Sequence, residues 1–166
     1  MKITLKNLLL PLAIIGLLAF LVLQLNNKPT APDVTFTTIE GKKISMSDLK
    51  GKVVLVNFWA TDCPGCIKET PQFVRFYQEY NKKGFEMVAV AMPYDPPAQV
   101  LNYTKMNALP FPVMHDGLSE ITNKFDGINL TPTTYIFDKQ GKRLQRTIGE
   151  LDFSKLSKLL NTELSK

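Results

Sequence analysis

The sequence contains few of the residues that bind metals or form multiple disulfides, since its 166 residues include only two cysteines and one histidine. A small secreted scaffold held by several disulfides is therefore excluded, and so is a zinc site built mainly from Cys and His, which needs four such ligands. Repeats and low-complexity tracts are also missing. A composition of 45% hydrophobic and 21% charged residues is typical of one ordinary globular domain.

Acidic residues are absent from the N-terminal part of the chain. The first 28 residues contain Lys2, Lys6 and Lys28 but no Asp or Glu. The rest of the chain holds 17 basic and 15 acidic side chains, so the net charge of +5 comes mostly from the N-terminus. No footprint of a nucleic-acid-binding protein remains, and we expect no nucleic-acid partner.

The N-terminal segment is predicted to be a membrane anchor. Residues 8–25 are eighteen consecutive residues without a charge, which is about the length that a helix needs to cross the hydrocarbon core of a bilayer. A buried core helix and a cleavable signal peptide are the alternatives. The apolar run is longer than the core of an ordinary signal peptide, and no clean A-x-A cleavage site follows it.

The lysines around this segment predict its orientation. Lys2 and Lys6 outnumber Lys28, so the positive-inside rule leaves the N-terminus in the cytoplasm. In a bacterium the rest of the chain would face the periplasm or the cell exterior from the inner (cytoplasmic) membrane. The predicted organisation is a cytoplasmic N-terminus (1–7), a transmembrane signal anchor (8–25), a tether (26–33) and one domain (34–166).

The remaining sequence alternates between strand and helix patterns. A small hairpin is followed by the order β-α-β-α-β-α-β-β-α, which predicts an α/β fold with a mixed central sheet flanked by helices. The predicted strands are 34–38, 43–46, 53–59, 85–91, 110–114, 133–138 and 143–148, and the predicted helices are 66–81, 97–106, 118–125 and 152–164.

Two cysteines separated by two residues lie at a predicted strand-to-helix junction. Cys63 is expected at an exposed helix N-terminus, where unpaired N–H groups favour a thiolate. Cys66 lies one turn deeper, within bridging range and shielded from solvent. The pattern predicts that Cys63 attacks a substrate disulfide and that Cys66 resolves the mixed disulfide. A structural disulfide, two unrelated buried thiols and half of a zinc site shared with a partner chain are the alternatives.

The stretch Phe58-Trp59-Ala60-Thr61-Asp62-Cys63-Pro64-Gly65-Cys66 resembles the active-site segment of the thioredoxin superfamily, and particularly of its membrane-anchored TlpA/ResA-like thiol–disulfide oxidoreductases. The resemblance extends over about 31–160. It implies a thioredoxin-like fold with an N-terminal β-hairpin and an inserted strand-helix segment. It also implies a redox-active Cys63–Cys66 disulfide and no cofactor or metal beyond this dithiol.

The same resemblance assigns residues around the disulfide. Pro132 matches the cis-proline that faces the disulfide, and Thr131 would offer backbone groups to an extended substrate segment. Together with Trp59 and Pro64, these residues are the expected substrate-binding set. Pro71 matches the proline that kinks the active-site helix of the family.

Glu69 resembles the acidic residue that follows the second cysteine in the ResA-like subgroup, whereas thioredoxin itself carries its buried acid at the position of Asn57. We expect Glu69 to exchange a proton with Cys66, with a pKa raised by partial burial. The alternative is a solvated helix glutamate paired with Lys68.

Two positions depart from the family pattern. Asp62 stands where the family usually has Trp, and its charge is expected to raise the pKa of Cys63 slightly, although an ordinary turn residue is the alternative. Pro64-Gly65 is an unusual pair between the cysteines. Because related proteins span about −270 to −120 mV, the motif does not define the direction of electron flow.

The resemblance favours a reductase of disulfides in cytochrome c precursors or other extracytoplasmic proteins, supplied with electrons by a transmembrane thiol reductase. A copper metallochaperone using both cysteines and His115 is one alternative, but such proteins space their cysteines by three residues. A peroxidase would need an arginine, for which Arg75 is the nearby candidate. A non-catalytic interaction module is the last alternative.

Overall fold

The computed structural model of the protein describes residues 11–12, 14–21 and 28–166. Strands and helices alternate from Thr35 to Leu164, in the order that the sequence predicts. The elements are β1 (Thr35–Thr37), β2 (Lys43–Ser45), β3 (Val53–Trp59), α1 (Pro64–Tyr80), a 3-10 turn (Asn81–Lys83), β4 (Phe85–Ala91), α2 (Pro97–Met106), β5 (Val113–His115), α3 (Glu120–Lys124), β6 (Thr133–Phe137), β7 (Arg143–Ile148) and α4 (Phe153–Leu164).

Five of the strands form the predicted mixed sheet, in the order β5-β4-β3-β6-β7. The pairs β3/β4 and β4/β5 are parallel, and the pairs β3/β6 and β6/β7 are antiparallel. All residues of β3, β4 and β6 are buried, so other elements cover both faces of the central strands. The predicted hairpin of β1 and β2 forms a separate two-stranded sheet.

The register of β3 and β6 defines two edges of the central sheet. Phe58 pairs with Thr133 at one edge, and Val54 pairs with Phe137 at the other. The loop that follows β3 and the loop that precedes β6 therefore meet at the first edge. The two cysteines lie on one of these loops and Pro132 on the other, so the topology alone brings them together.

Local signals explain where the helices begin and end. Helix α1 starts at Pro64, two residues earlier than predicted, because proline is favourable in the first turn and the Cys63 sulfur accepts a hydrogen bond from the Cys66 N–H at 3.2 Å. Helix α3 is shorter than predicted. The backbone is left-handed at Ser119 (φ 58°) and Asp126 (φ 66°), which confines the helix to the residues between them.

The predicted anchor, residues 8–25, falls partly outside the described residues. Residues 11–12 and 14–21 within it are helical. Within the ranges 11–12, 14–21 and 28–166, no helix has both the length and the apolar character needed to cross a bilayer.

The described part of the predicted tether is attached to the domain. Thr30 forms an antiparallel bridge with Lys142. The Arg143 N–H donates to the carbonyl of Pro29 at 2.7 Å, and the Ala31 N–H donates to the carbonyl of Gly141 at 2.8 Å. The segment therefore joins the sheet beside the β6–β7 turn. Residues 26–27 of the tether lie outside the described ranges.

Candidate active site

Cys63 and Cys66 form a disulfide at the N-terminus of α1, with their Cα atoms 5.3 Å apart. The exposed fraction is 7% for Cys63 and 4% for Cys66, so Cys63 is less exposed than the sequence predicted. Cys63 and Pro132 line the same depression. Cys63 nevertheless borders an open depression, whereas Cys66 borders a small internal cavity.

The depression beside Cys63 is shallow and has a volume of about 570 Å³. The Thr131–Pro132 peptide bond is cis, as the resemblance implied, and both residues line the depression. Pro64 is exposed on the same wall. Asp62, Gly65, Tyr94, Gly149 and Glu150 complete the lining.

Trp59 is placed differently from the other predicted substrate-binding residues. It is 3% exposed and does not line the depression. Its indole ring packs against the ring of Tyr103, with the centroids 5.3 Å apart. Trp59 is the last residue of β3, and its side chain is buried in the core. It therefore packs behind the site and does not offer a contact surface to a substrate.

Glu69 is 2% exposed, so the alternative of a solvated glutamate is wrong. One carboxylate oxygen accepts a hydrogen bond from the Leu151 N–H, and the other has no partner among the described residues. Burial raises the pKa of Glu69, and the nearby Glu150 carboxylate raises it further against the opposing effect of the Leu151 N–H. Lys68 pairs with Glu150, at 2.6 Å between Nζ and Oε2.

The position of the buried thioredoxin acid is occupied here by an uncharged residue. Asn57 is buried, and its Nδ2 donates to the Thr134 hydroxyl at 3.0 Å. Asn57 lines the same internal cavity as Cys66. Because an amide side chain does not titrate, Glu69 is the acidic side chain that α1 places one turn beyond Cys66.

Three residues that shape the site are not indicated by any sequence motif. Asp95, which is 2% exposed, accepts hydrogen bonds from the Thr61 N–H at 2.7 Å and from its hydroxyl at 2.6 Å. Tyr94 and Glu150 line the depression. Neither the loop after β4 nor the loop after β7 carries a motif that would have singled these residues out.

The residues of two alternative functions are not assembled. Among the described residues, no three His, Cys, Asp or Glu side chains form a group that could hold a metal ion. His115 ends β5, where it pairs with Ala91 two strands away from β3. Arg75 is exposed on α1 and does not line the depression. The copper and peroxidase alternatives therefore have no support in this geometry.

A redox pair of cysteines at a helix N-terminus, faced by a cis-proline loop across an open depression, defines a thiol–disulfide oxidoreductase. The Redoxin family model matches residues 25–160, and the chain belongs to this family. Its substrates are accordingly molecules that contain disulfides.

Curated relatives agree with this class. The chain is 39% identical over 120 residues to the thiol-disulfide oxidoreductase ResA of Bacillus thuringiensis, a match that covers 72% of this chain and 68% of the relative. It is 34% identical over 131 residues to the ResA of Bacillus subtilis, covering 79% and 72% of the two chains. The predicted ResA-like resemblance is confirmed.

Solved structures confirm the thioredoxin-like fold. A crystal structure of a thiol:disulfide interchange protein of the thioredoxin family from Chlorobium tepidum superposes with a TM-score of 0.76 and 29% sequence identity. The superposition covers 83% of this chain and 97% of that protein. The hairpin of β1 and β2 and the strand-helix segment between β4 and β6 lie within residues 25–160, which the Redoxin family model matches.

Proposed function

We propose that this chain is a membrane-anchored, extracytoplasmic reductase of protein disulfides. The observation that carries the proposal is the Cys63–Cys66 disulfide at the N-terminus of α1, in which Cys63 lines the open depression and Cys66 does not. Disulfides in cytochrome c precursors or other extracytoplasmic proteins are the proposed substrates. A transmembrane thiol reductase is the proposed electron donor.

The reduced enzyme begins the reaction with the Cys63 thiolate. It attacks one sulfur of the substrate disulfide, which forms a mixed disulfide and releases the other substrate sulfur as a thiolate. The Cys66 thiolate then attacks the Cys63 sulfur, which releases the second substrate sulfur and leaves the Cys63–Cys66 disulfide. Two electrons pass to the substrate, and the donor restores the dithiol. The Cys66 N–H, which points at the Cys63 sulfur, stabilises the attacking thiolate.

Glu69 is the proposed proton carrier for Cys66. Cys66 must lose a proton before it attacks, and α1 places Glu69 one turn further along the helix. Because burial raises the pKa of Glu69, its carboxylate is a stronger base than an exposed glutamate. The hydrogen bond from Leu151 fixes one carboxylate oxygen, and the second oxygen accepts no hydrogen bond from the described residues.

Pro64, Thr131 and Pro132 are the proposed substrate contacts, since all three line the depression beside Cys63. An extended segment that carries the substrate disulfide would lie in this depression, with its sulfur next to Cys63. The shallow shape suits a peptide segment of a protein better than a small molecule that must be enclosed.

The reducing direction is tested by the reduction potential of the Cys63/Cys66 pair, measured in the full chain against glutathione. A value of about −270 mV supports a reductase, and a value of about −120 mV overturns that direction.

Turnover is measured with insulin or a disulfide peptide as substrate, with Cys63→Ser as the inactive control. Resistance to carbonate extraction from membranes tests the anchor, residues 8–25.

A further inference from the structure

Lysines gather at the edge of the central sheet that lies opposite the active site. At this edge the chain segments are joined by backbone hydrogen bonds, from the Gly51 N–H to the carbonyl of Lys139 at 2.8 Å and from the Val53 N–H to the carbonyl of Gly84 at 2.9 Å. The lysines on these segments and on the adjoining β6–β7 turn form what we call the basic edge. Its members are Lys50, Lys52, Lys82, Lys83, Lys139 and Lys142.

Two of the six lysines on the basic edge form ion pairs, and Asp33 and Asp138 also lie at this edge. Lys52 pairs with Glu86 at 2.9 Å, and Lys83 approaches Glu79 at 3.7 Å. The other four lysines have no carboxylate within 4.0 Å among the described residues. Asp138, in the β6–β7 turn, accepts hydrogen bonds from the backbone of that turn.

The active-site edge of the sheet carries acidic side chains. Asp62 and Glu150 line the depression, and Asp152 caps α4 immediately after it. Lys68 pairs with Glu150 and Lys155 with Asp152, so Asp62 is the one of these three acids without an ion pair among the described residues. The seven residues of β3 separate the two edges by about 20 Å, at roughly 3.3 Å per residue. The basic edge and the disulfide therefore lie at opposite ends of the central sheet.

The N-terminal segment joins the domain at the basic edge. Thr30 bridges to Lys142, and Thr30 and Lys50 line the same cleft of about 480 Å³. Three residues separate Pro29 from the predicted anchor at 8–25, and a chain of that length reaches at most about 14 Å. If the anchor of the proposed function spans the membrane, the basic edge is the part of the domain nearest to the bilayer.

We propose that the basic edge docks on a bilayer surface that carries anionic phospholipid headgroups, which turns the disulfide away from the membrane. The exposed ammonium groups of Lys50, Lys82 and Lys142 complement the phosphate groups of such lipids. The end of the sheet that holds the disulfide faces outward, where partner proteins approach. The orientation depends on charge, so it weakens at high ionic strength.

The test uses the full chain reconstituted in two kinds of vesicle, one of phosphatidylcholine alone and one that also contains phosphatidylglycerol. A membrane-impermeant amine reagent is added, and mass spectrometry follows the modification of each lysine. Lys155 and Lys158, exposed on α4, are the internal reference. With phosphatidylglycerol we expect Lys50 and Lys142 to react about tenfold or more slowly than the reference. Neutral vesicles or high salt should abolish the difference.

Two double variants sharpen the test. Lys50→Gln with Lys142→Gln should lower the ratio of docked to free domain by about 30-fold and should remove the protection of Lys82. Lys155→Gln with Lys158→Gln removes the same charge from α4 and should leave that protection intact, with the exposed Lys68 on α1 as the reference lysine in this variant. Equal modification of both lysine sets in the two kinds of vesicle overturns the proposal.

The inference rests on the proposed membrane anchoring, and its failure is separable from failure of the anchor. Extraction of the chain by carbonate contradicts the anchor alone. In that case sedimentation of the chain with the same vesicles tests whether the basic edge binds to the lipid surface. Binding to the anionic vesicles only, weakened in the Lys50/Lys142 variant, supports docking, and equal or absent binding to both overturns it.

Discussion

Asp95 holds Thr61 by two hydrogen bonds, from the Thr61 N–H at 2.7 Å and from the Thr61 hydroxyl at 2.6 Å. Thr61 lies two residues before Cys63, and Tyr94 beside Asp95 lines the depression. The two bonds therefore join the loop that carries the disulfide to the opposite wall of the substrate depression.

Replacing Asp95 with alanine should slow disulfide exchange. The Thr61 N–H would lose its acceptor and the Thr61 hydroxyl would keep only the Gln99 amide oxygen at 3.2 Å. This should cost about 1–3 kcal/mol of folding free energy and loosen the loop that positions Cys63. We expect the prereduced Asp95→Ala variant to reduce a disulfide peptide about tenfold more slowly, since small displacements of a reacting group lower rates strongly. Stopped-flow measurement of peptide reduction checks this.

Asp48→Ala is the matched control for that measurement. The Asp48 carboxylate also accepts a backbone hydrogen bond in a turn, from the Ser45 N–H at 2.9 Å, but it lies in the β2–β3 connection. Its removal should leave the exchange rate unchanged. Equal rates for Asp95→Ala and the natural chain would show that the link to Thr61 has no part in the reaction.

The two cysteines should behave differently when each is replaced by serine. Cys66→Ser keeps the sulfur that borders the depression but has no resolving thiol, so it should accumulate a mixed disulfide with a substrate peptide. Cys63→Ser keeps only the sulfur at the internal cavity and should form little of this adduct. Serine is a good N-cap, so helix α1 should persist in Cys63→Ser. Intact mass under non-reducing conditions counts the adducts.

Equal adduct formation by the two serine variants would contradict the assignment of Cys63 as the attacking thiol. The natural chain supplies the control for turnover, because its Cys66 should release the peptide and leave no lasting adduct. Circular dichroism of both variants confirms that the comparison is between folded chains.

Because of Glu69, the free energy of unfolding should decrease as pH rises. Its pKa is raised by burial above the ordinary value of 4.5, so the folded chain binds a proton more tightly than the unfolded chain does. The stabilisation of the folded chain by proton binding at Glu69 is complete below pH 4.5 and is lost as pH rises through the folded-state pKa. Glu69→Gln keeps an oxygen to accept the Leu151 N–H and removes the buried charge. Oxidised Glu69→Gln should therefore be more stable than the natural chain at neutral pH, by a margin that shrinks towards acid.

Urea unfolding of the oxidised chain across a pH series measures this dependence. Glu79→Gln is the control, since Glu79 lies on the exposed face of the same helix and remains hydrated in both states. It should leave the pH dependence as it is in the natural chain. A constant difference between Glu69→Gln and the natural chain at every pH would refute a titrating Glu69.

Local sequence patterns were sufficient to predict many of the strands and helices of this fold. Strands β3, β4 and β7 and helix α2 have the predicted bounds, because continuous β-favouring runs and a proline at a helix start are local signals. The junction that holds the two cysteines was likewise readable from the sequence. A family resemblance supplied the cis bond before Pro132, which no local pattern would have indicated.

Contacts between distant parts of the chain were not predictable in this way. Asp95 lies 34 residues from Thr61, and Glu69 accepts from Leu151, 82 residues away. Such pairs arise from the packing of loops at one sheet edge, and nothing in either segment indicates its partner. The depression beside Cys63 was not predictable for the same reason, since its lining includes residues of the loop before β6 and of the loop after β7.

Replacing Gly65 or Gly84 with alanine should change the free energy of unfolding in opposite directions. Gly65 lies in the first turn of α1, and a Cβ there would be 3.4 Å from Glu150 Cγ and 3.5 Å from Pro132 Cδ, which are ordinary contacts. Because glycine is a poor helix former, Gly65→Ala should raise the free energy of unfolding by up to about 1 kcal/mol. Gly84 has a φ of 98°, which L side chains rarely adopt, so Gly84→Ala should lower it by about 1–2 kcal/mol. Urea unfolding of both oxidised variants measures the two changes, and a loss of stability in Gly65→Ala would mean that the wall of Glu150 and Pro132 is too rigid to accept a methyl group.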